Sequence, residues 1–153
     1  MHLVSCGQME VTTNGEMGKF FHNKRGLCQG DPSLPLIFNY VVDAFSAMLD
    51  KARADGHIEG LVPHLIPGGV TQLQYADNTT LLFEPDLHSI ASIKLLLITF
   101  ELLFGLKINF LKSEVITIGM GQQESRHADN LLNCKLGGFP IKYLGLPTSH
   151  RKL

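Results

Sequence analysis

The sequence predicts an α+β fold in which helices pack on one face of an antiparallel sheet, and three observations predict it. Leu73, Tyr75, Leu81 and Phe83 are large and apolar, Gln74 alternates with them, and Asp77-Asn78 interrupts the run, which is the pattern of a hairpin with a polar tip between two buried strands. Ile37, Val41, Phe45, Met48 and Ala52 recur every three or four residues, as one face of a long helix does. Ile90, Ile93, Leu97, Phe100 and Phe104 repeat that spacing in a second stretch. A chain of 153 residues forming one domain buries roughly 70% of its unfolded surface, enough for a core.

Each element has local signals. Residues 9–21 alternate around Asn14-Gly15 and end in Phe20-Phe21, a hairpin leading into a glycine-rich loop. Gly30-Asp31-Pro32 offers a helix start, with Asp31 accepting from orphan amides and Pro32 at the first helical position; Gly56 sits where the C-terminal cap belongs. Pro67-Gly68-Gly69 precedes the central hairpin and Glu84-Pro85-Asp86 stops it, because proline cannot donate to a ladder. The second helix is expected from Leu87 to Leu103, capped by Asp86, stopped by Gly105 and packed on the hairpin's sheet by a wide apolar face. Leu106 to Asn109 and Glu114 to Ile118 read as short strands, Gln122 to Asn133 as a polar helix, and Phe139 to Gly145 as a final hairpin or edge strand.

Hydrophobic residues make up 44% and charged residues 18%, which excludes a disordered chain. A net charge of −1 gives no global field for a polyanion, so any nucleic-acid contact needs a local patch, and Lys19, Lys24 and Arg25 form a basic cluster. Cys6, Cys28 and Cys134 are odd in number and widely spaced, against both a disulfide framework and a zinc ribbon. The seven histidines never pair at metal-ligand spacing. Leu95 to Phe104, the longest apolar stretch, is about half of the ~20 residues a membrane span needs. With no signal peptide, the expectation is an intracellular chain, nuclear or cytoplasmic, that is not secreted and has no membrane partner.

Asp77 is the residue with chemical potential. Phosphoryl transfer to a primer end uses two divalent ions about 3.5–4 Å apart, and carboxylates must gather to hold them. Magnesium takes one or two carboxylates per ion and fills its shell with water and phosphate, so a hairpin Asp facing a second Asp on another strand suffices. Asp77 fits the first of these roles.

The ordered series Arg25-Gly26-Leu27-Cys28-Gln29-Gly30-Asp31-Pro32 with Phe38-Asn39, then Tyr75-Ala76-Asp77-Asn78, then Gly105 to Asn109 with Lys112-Ser113-Glu114, then Tyr143-Leu144-Gly145, resembles the reverse transcriptase of non-LTR, LINE-type retrotransposons, especially plant copies. Four motifs in order, covering roughly residues 10–148, make the resemblance specific. It implies part of a polymerase palm and RNA-directed DNA polymerase chemistry with Mg²⁺, an RNA template, a DNA primer and a dNTP. It also implies that Arg25, Gln29 and Gly30 face template and nucleotide, Asp77 and Asn78 stand at the metal turn, Lys112 serves the leaving pyrophosphate, and Tyr143, Leu144 and Gly145 grip the primer.

The departures from the family pattern are informative. Asn78 replaces the second turn aspartate and offers an oxygen without charge, Cys28 replaces an arginine, and Ser33-Leu34 are in swapped order. The family's other catalytic aspartate belongs upstream of Asn14, and no residue here matches it. The expectation is therefore a single truncated domain over 1–153, the C-terminal part of a palm without fingers, first catalytic strand or thumb, and inactive by itself. A folded nucleic-acid-binding or protein-interaction module without catalysis is the alternative. Plainer roles stand beside these: Asp77 as a turn former, Lys112 as a solvated surface lysine, Gln29-Gly30 as loop, and Gly119-Met120-Gly121 as a turn. Asn78-Thr79-Thr80 has the form of a glycosylation acceptor, but no secretory signal accompanies it.

Overall fold

A computed structural model describes residues 8–22, 32–143 and 146–148. The chain divides into two compact units, Met1–Ala44 and Phe45–Leu153, with the division inside the first helix. The fold is α+β, as expected, with three helices and short strands among the described residues.

In the first unit, β1 (Gln8–Met9) pairs with β4 (Phe21–His22), and β2 (Thr12–Thr13) with β3 (Glu16–Met17), all antiparallel. The expected hairpin over 9–21 is present. Its tip is Asn14–Gly15, with φ of 53° and 85°, the left-handed pair that a two-residue type I′ turn requires. Helix α1 covers Leu34–Ala54, close to the six turns expected of it. It starts two residues later than the sequence suggested: Pro32 and Ser33 form a turn, and the Ser33 carbonyl accepts the first helical bond from Ile37 N at 3.0 Å. Asp31, the expected cap, lies outside the described residues.

The second unit is held by one core of Phe45, Leu49, Ile58, Ile90, Ile93, Leu96, Ala128 and Leu132. Helix α2 spans Leu87–Phe104 and carries three of them. Asp86 caps it by accepting from Ser89 N at 2.9 Å and from the Ser89 hydroxyl, and Gly105 ends it in the left-handed region with its N–H donating to Glu101 O. The Ser89 bonds hold the Asp86 carboxyl below its ordinary range. Phe100 meets Phe45 of α1 edge-on at 4.8 Å between ring centroids. Helix α3 covers Gln122–Leu132, one residue short of the expected range, and Asn133 caps it in the left-handed region at φ 59°.

Three expectations need correction. The apolar face of α2 is not fully covered: Ile90, Ile93 and Leu96 are buried and Leu97 and Phe100 pack against the core, whereas Leu95, Ile98, Leu102 and Leu103 are exposed. By length and composition this helix is apolar enough to cross a bilayer, although one side of it is core. Residues 106–109 are irregular rather than a strand, since Glu101 captures Ile108 N at 2.5 Å, and the strand expected over 114–118 shrinks to β7 (Glu114–Val115). Finally, the described strands form separate two-stranded sheets and not one antiparallel sheet. One of them is parallel: β7 runs beside β8 (Lys135–Leu136) with α3 as the crossover.

Two strands form the central hairpin, β5 (Gln72–Tyr75) and β6 (Asn78–Leu81). The chain reaches it through an excursion closed by Leu61 and Val70, whose backbones exchange bonds of 3.0 and 2.9 Å. Arg53 Nη1 donates to the carbonyls of Gly68 and Gly69 at 3.2 and 3.3 Å. A Cβ on Gly69 would stand 2.6 Å from the Gly60 carbonyl carbon, so the two chain segments touch backbone to backbone only because both positions lack side chains. The last hairpin joins β9 (Ile141–Tyr143) to β10 (Leu146–Thr148), which agrees with the sequence.

Candidate functional site

The register of the central hairpin pairs Tyr75 with Asn78 and leaves Ala76-Asp77 as a two-residue tip. Asp77 is at the tip, as predicted, and exposed. The turn chemistry differs from the expectation. Ala76, not the Asp-Asn pair, takes the left-handed conformation, at φ 49°, while Asn78 already belongs to the ladder. A positive φ at the first central position of a two-residue hairpin is the type II′ pattern, which favours glycine there. An alanine in that region is strained by about 1–2 kcal/mol.

Polar side chains brace the tip. Gln74 Nε2 donates to Ala76 O at 2.7 Å, and Thr79 Oγ1 donates to Gln74 Oε1 at 2.6 Å, so the cross-strand neighbours Gln74 and Thr79 form a bridge beneath the turn. The buried face of β5 is the reverse of the expected one, while Leu81 and Phe83 pack against the core as expected. Gln72 and Gln74 are half-buried, and Gln72 Nε2 donates to the Ser46 hydroxyl of α1; Leu73 and Tyr75 are 40% and 56% exposed. The physical reason is that the hairpin enters the core by its base, through Leu81 and Phe83, and presents its glutamine side to α1.

The other predicted site residues are dispersed. Lys112 lies in an exposed turn whose backbone is fixed by Asn109, with Lys112 N donating to Asn109 O at 3.0 Å and to Asn109 Oδ1 at 3.2 Å. The two ion pairs between described residues are Lys51–Asp55 and Asp50–Arg53, so Asp77 and Lys112 are not salt-bridged to each other. Tyr143 is half-buried in β9, opposite Leu146. Arg25, Gln29, Gly30, Leu144 and Gly145 lie outside the described residues.

As a metal site the tip is one carboxylate, Asp77, beside one amide, Asn78. Among the described residues no three His, Cys, Asp or Glu side chains gather as a ligand set. Two divalent ions need more negative charge than this tip supplies, so the described residues do not fit a two-ion centre.

The sequence pattern missed one grouping. The rings of His57 and His88 lie 5.7 Å apart at an open groove of about 650 Å³ lined by Ala47, Met48, Ala52, Ser92 and Leu95. The two histidines are far apart in sequence, and no spacing rule could have joined them. Elsewhere in this unit, Lys94 Nζ donates to Leu132 O at 3.0 Å and stands 4.0 Å over the Phe110 ring, while burial raises the pKa of the neighbouring Cys134 thiol against the opposing charge of Lys94. No protein-family model matches the chain.

Proposed function

We propose that this chain is a portion of the palm of a non-LTR, LINE-type retrotransposon reverse transcriptase, and that its 153 residues alone do not extend a primer. The observation that carries the reading is Asp77 at a strained two-residue hairpin tip, within an ordered motif series that runs from Arg25 to Gly145. Strained backbone persists where surrounding structure over-determines it, and such positions cluster at functional sites. The Gln74–Thr79 bridge and the Gln72–Ser46 bond provide that restraint here.

The ancestral activity in this reading is RNA-directed DNA synthesis, with Arg25, Gln29 and Gly30 against template and dNTP, Lys112 beside the leaving group, and Tyr143, Leu144 and Gly145 along the primer. Mg²⁺ would serve that chemistry, with Asp77 as a ligand and Asn78 as a weakened one. Loss of charge at Asn78 supports inactivity of this chain by itself, because ion affinity at such a site follows ligand charge.

Primer extension on an RNA template tests the proposal. The expected result is no template-dependent product with Mg²⁺, either for the chain as it stands or for Asn78→Asp. Product that disappears in Asp77→Ala would overturn the claim of inactivity and establish polymerase function. A folded module without catalysis is the second reading, and the self-contained core of the second unit favours it. Salt-dependent RNA binding by the intact chain, with no extension, is its expected signature.

A further inference from the structure

We propose that Asn14 is a site of spontaneous deamidation and isomerisation, independent of any polymerase ancestry. Of the seven asparagines, Asn14 alone precedes a glycine; the others precede Lys24, Tyr40, Thr79, Phe110, Leu131 and Cys134. The main-chain nitrogen of Gly15 attacks Cγ of Asn14. The new N–Cγ bond closes a five-membered succinimide, the glycine nitrogen loses its proton to base, and the side-chain nitrogen leaves as ammonia. Water then opens either carbonyl, giving aspartate or an isoaspartyl linkage. The net change is addition of water and loss of ammonia, with no redox partner.

The structure makes this position susceptible in three ways. Asn14 and Gly15 are both exposed, and a Cβ placed on Gly15 would meet nothing within 4 Å, so no neighbouring group crowds the turn beside the glycine. The flanking strands β2 and β3 are two residues each and exposed at every position, so no buried contact within them resists opening of the turn. Ring closure requires rotation about ψ and χ1 of Asn14 to bring Cγ onto the Gly15 nitrogen, and an exposed two-stranded ribbon gives that motion at low cost. Asn78 provides the contrast: it is also at a hairpin, but it is paired with Tyr75 in the ladder and followed by the β-branched Thr79.

The isoaspartyl product adds a main-chain methylene to a two-residue loop and a negative charge at its tip. A type I′ turn fixes register through its length, so the pairing of Thr13 with Glu16 and Thr12 with Met17 is lost.

The test stores the full chain at mildly alkaline pH and follows tryptic peptides by mass. The peptide ending at Lys19 contains Asn14 as its sole asparagine. The expected result is conversion of amide to acid in that peptide roughly tenfold faster than in any peptide carrying another asparagine, corresponding to about 1.4 kcal/mol in barrier. The rate rises with pH, the product is methylated by an isoaspartyl methyltransferase, and Asn14→Gln abolishes the conversion. A rate no faster than at the other asparagines, or a mass gain that persists in Asn14→Gln, overturns the proposal.

Discussion

Two hairpin tips in this chain have the same loop length and opposite chemistry. The Asn14–Gly15 tip places in the left-handed region the residues that tolerate it best, and its strands are exposed throughout. The Ala76–Asp77 tip places there an alanine, which tolerates it poorly, and braces it with Gln74, Thr79 and the Gln72–Ser46 contact. The first turn is made by local propensity. The second is imposed by its surroundings on a sequence unsuited to it, and it carries the one carboxylate with a candidate role. Selection for turn formation alone accounts for the first tip but not for the second.

If the surroundings impose the second turn, the core comes first in energy. Ile93→Ala should cost about 2–5 kcal/mol in denaturant unfolding, because Ile93 is among the most buried side chains of the second unit. The Asn14–Gly15 hairpin should be unaffected by that change in its amide exchange if its stability is local. Next in size, Gly15→Ala should destabilise the β2–β3 turn by about 1–2 kcal/mol, seen as lost protection across Thr12–Met17, since φ 85° is costly for alanine.

Ala76→Gly should do the reverse. Relief of about 1–2 kcal/mol of strain exceeds the added chain entropy of about 0.4–1 kcal/mol, so the protein gains roughly 0.5–1 kcal/mol. A loss of stability instead would mean that the positive φ at this tip costs nothing, and the contrast between the turns would fail. The helix that helps anchor the core has a smaller lever. Asp86→Ala should cost about 1 kcal/mol through the lost cap. Because the folded carboxyl lies below its ordinary value of 3.8, its contribution is present above that pH and disappears as pH falls through the depressed folded value. Acid titration of Asp86→Ala should accordingly lack that part of the wild-type decline.

Much of this architecture was legible because the signals were local. Asp86 and Gly105 bracket α2 where capping rules place them, and α3 ends within one residue of its expected bound. The N-terminal hairpin followed from Asn14-Gly15 and the last hairpin from the pattern after Phe139. What escaped depended on partners distant in sequence. Alternation through Leu73 and Tyr75 defines two faces but not which one is covered, and the answer came from Ser46 on α1. The parallel pairing of β7 with β8 and the approach of His57 to His88 are likewise set by tertiary placement. At the site, the position of Asp77 was readable; the strained residue beside it was not, because propensity pointed to Asp and Asn.

A Mn²⁺ titration followed by amide NMR, run on the chain beside Asn78→Asp and Asp77→Asn, tests most directly whether the second tip is a metal turn short of charge. Paramagnetic broadening centred on Ala76 to Asn78, stronger in Asn78→Asp and lost in Asp77→Asn, is the result this account predicts. Broadening that ignores Asp77→Asn, or none at the tip even in Asn78→Asp, would contradict it and leave Asp77 as an ordinary surface residue of a turn.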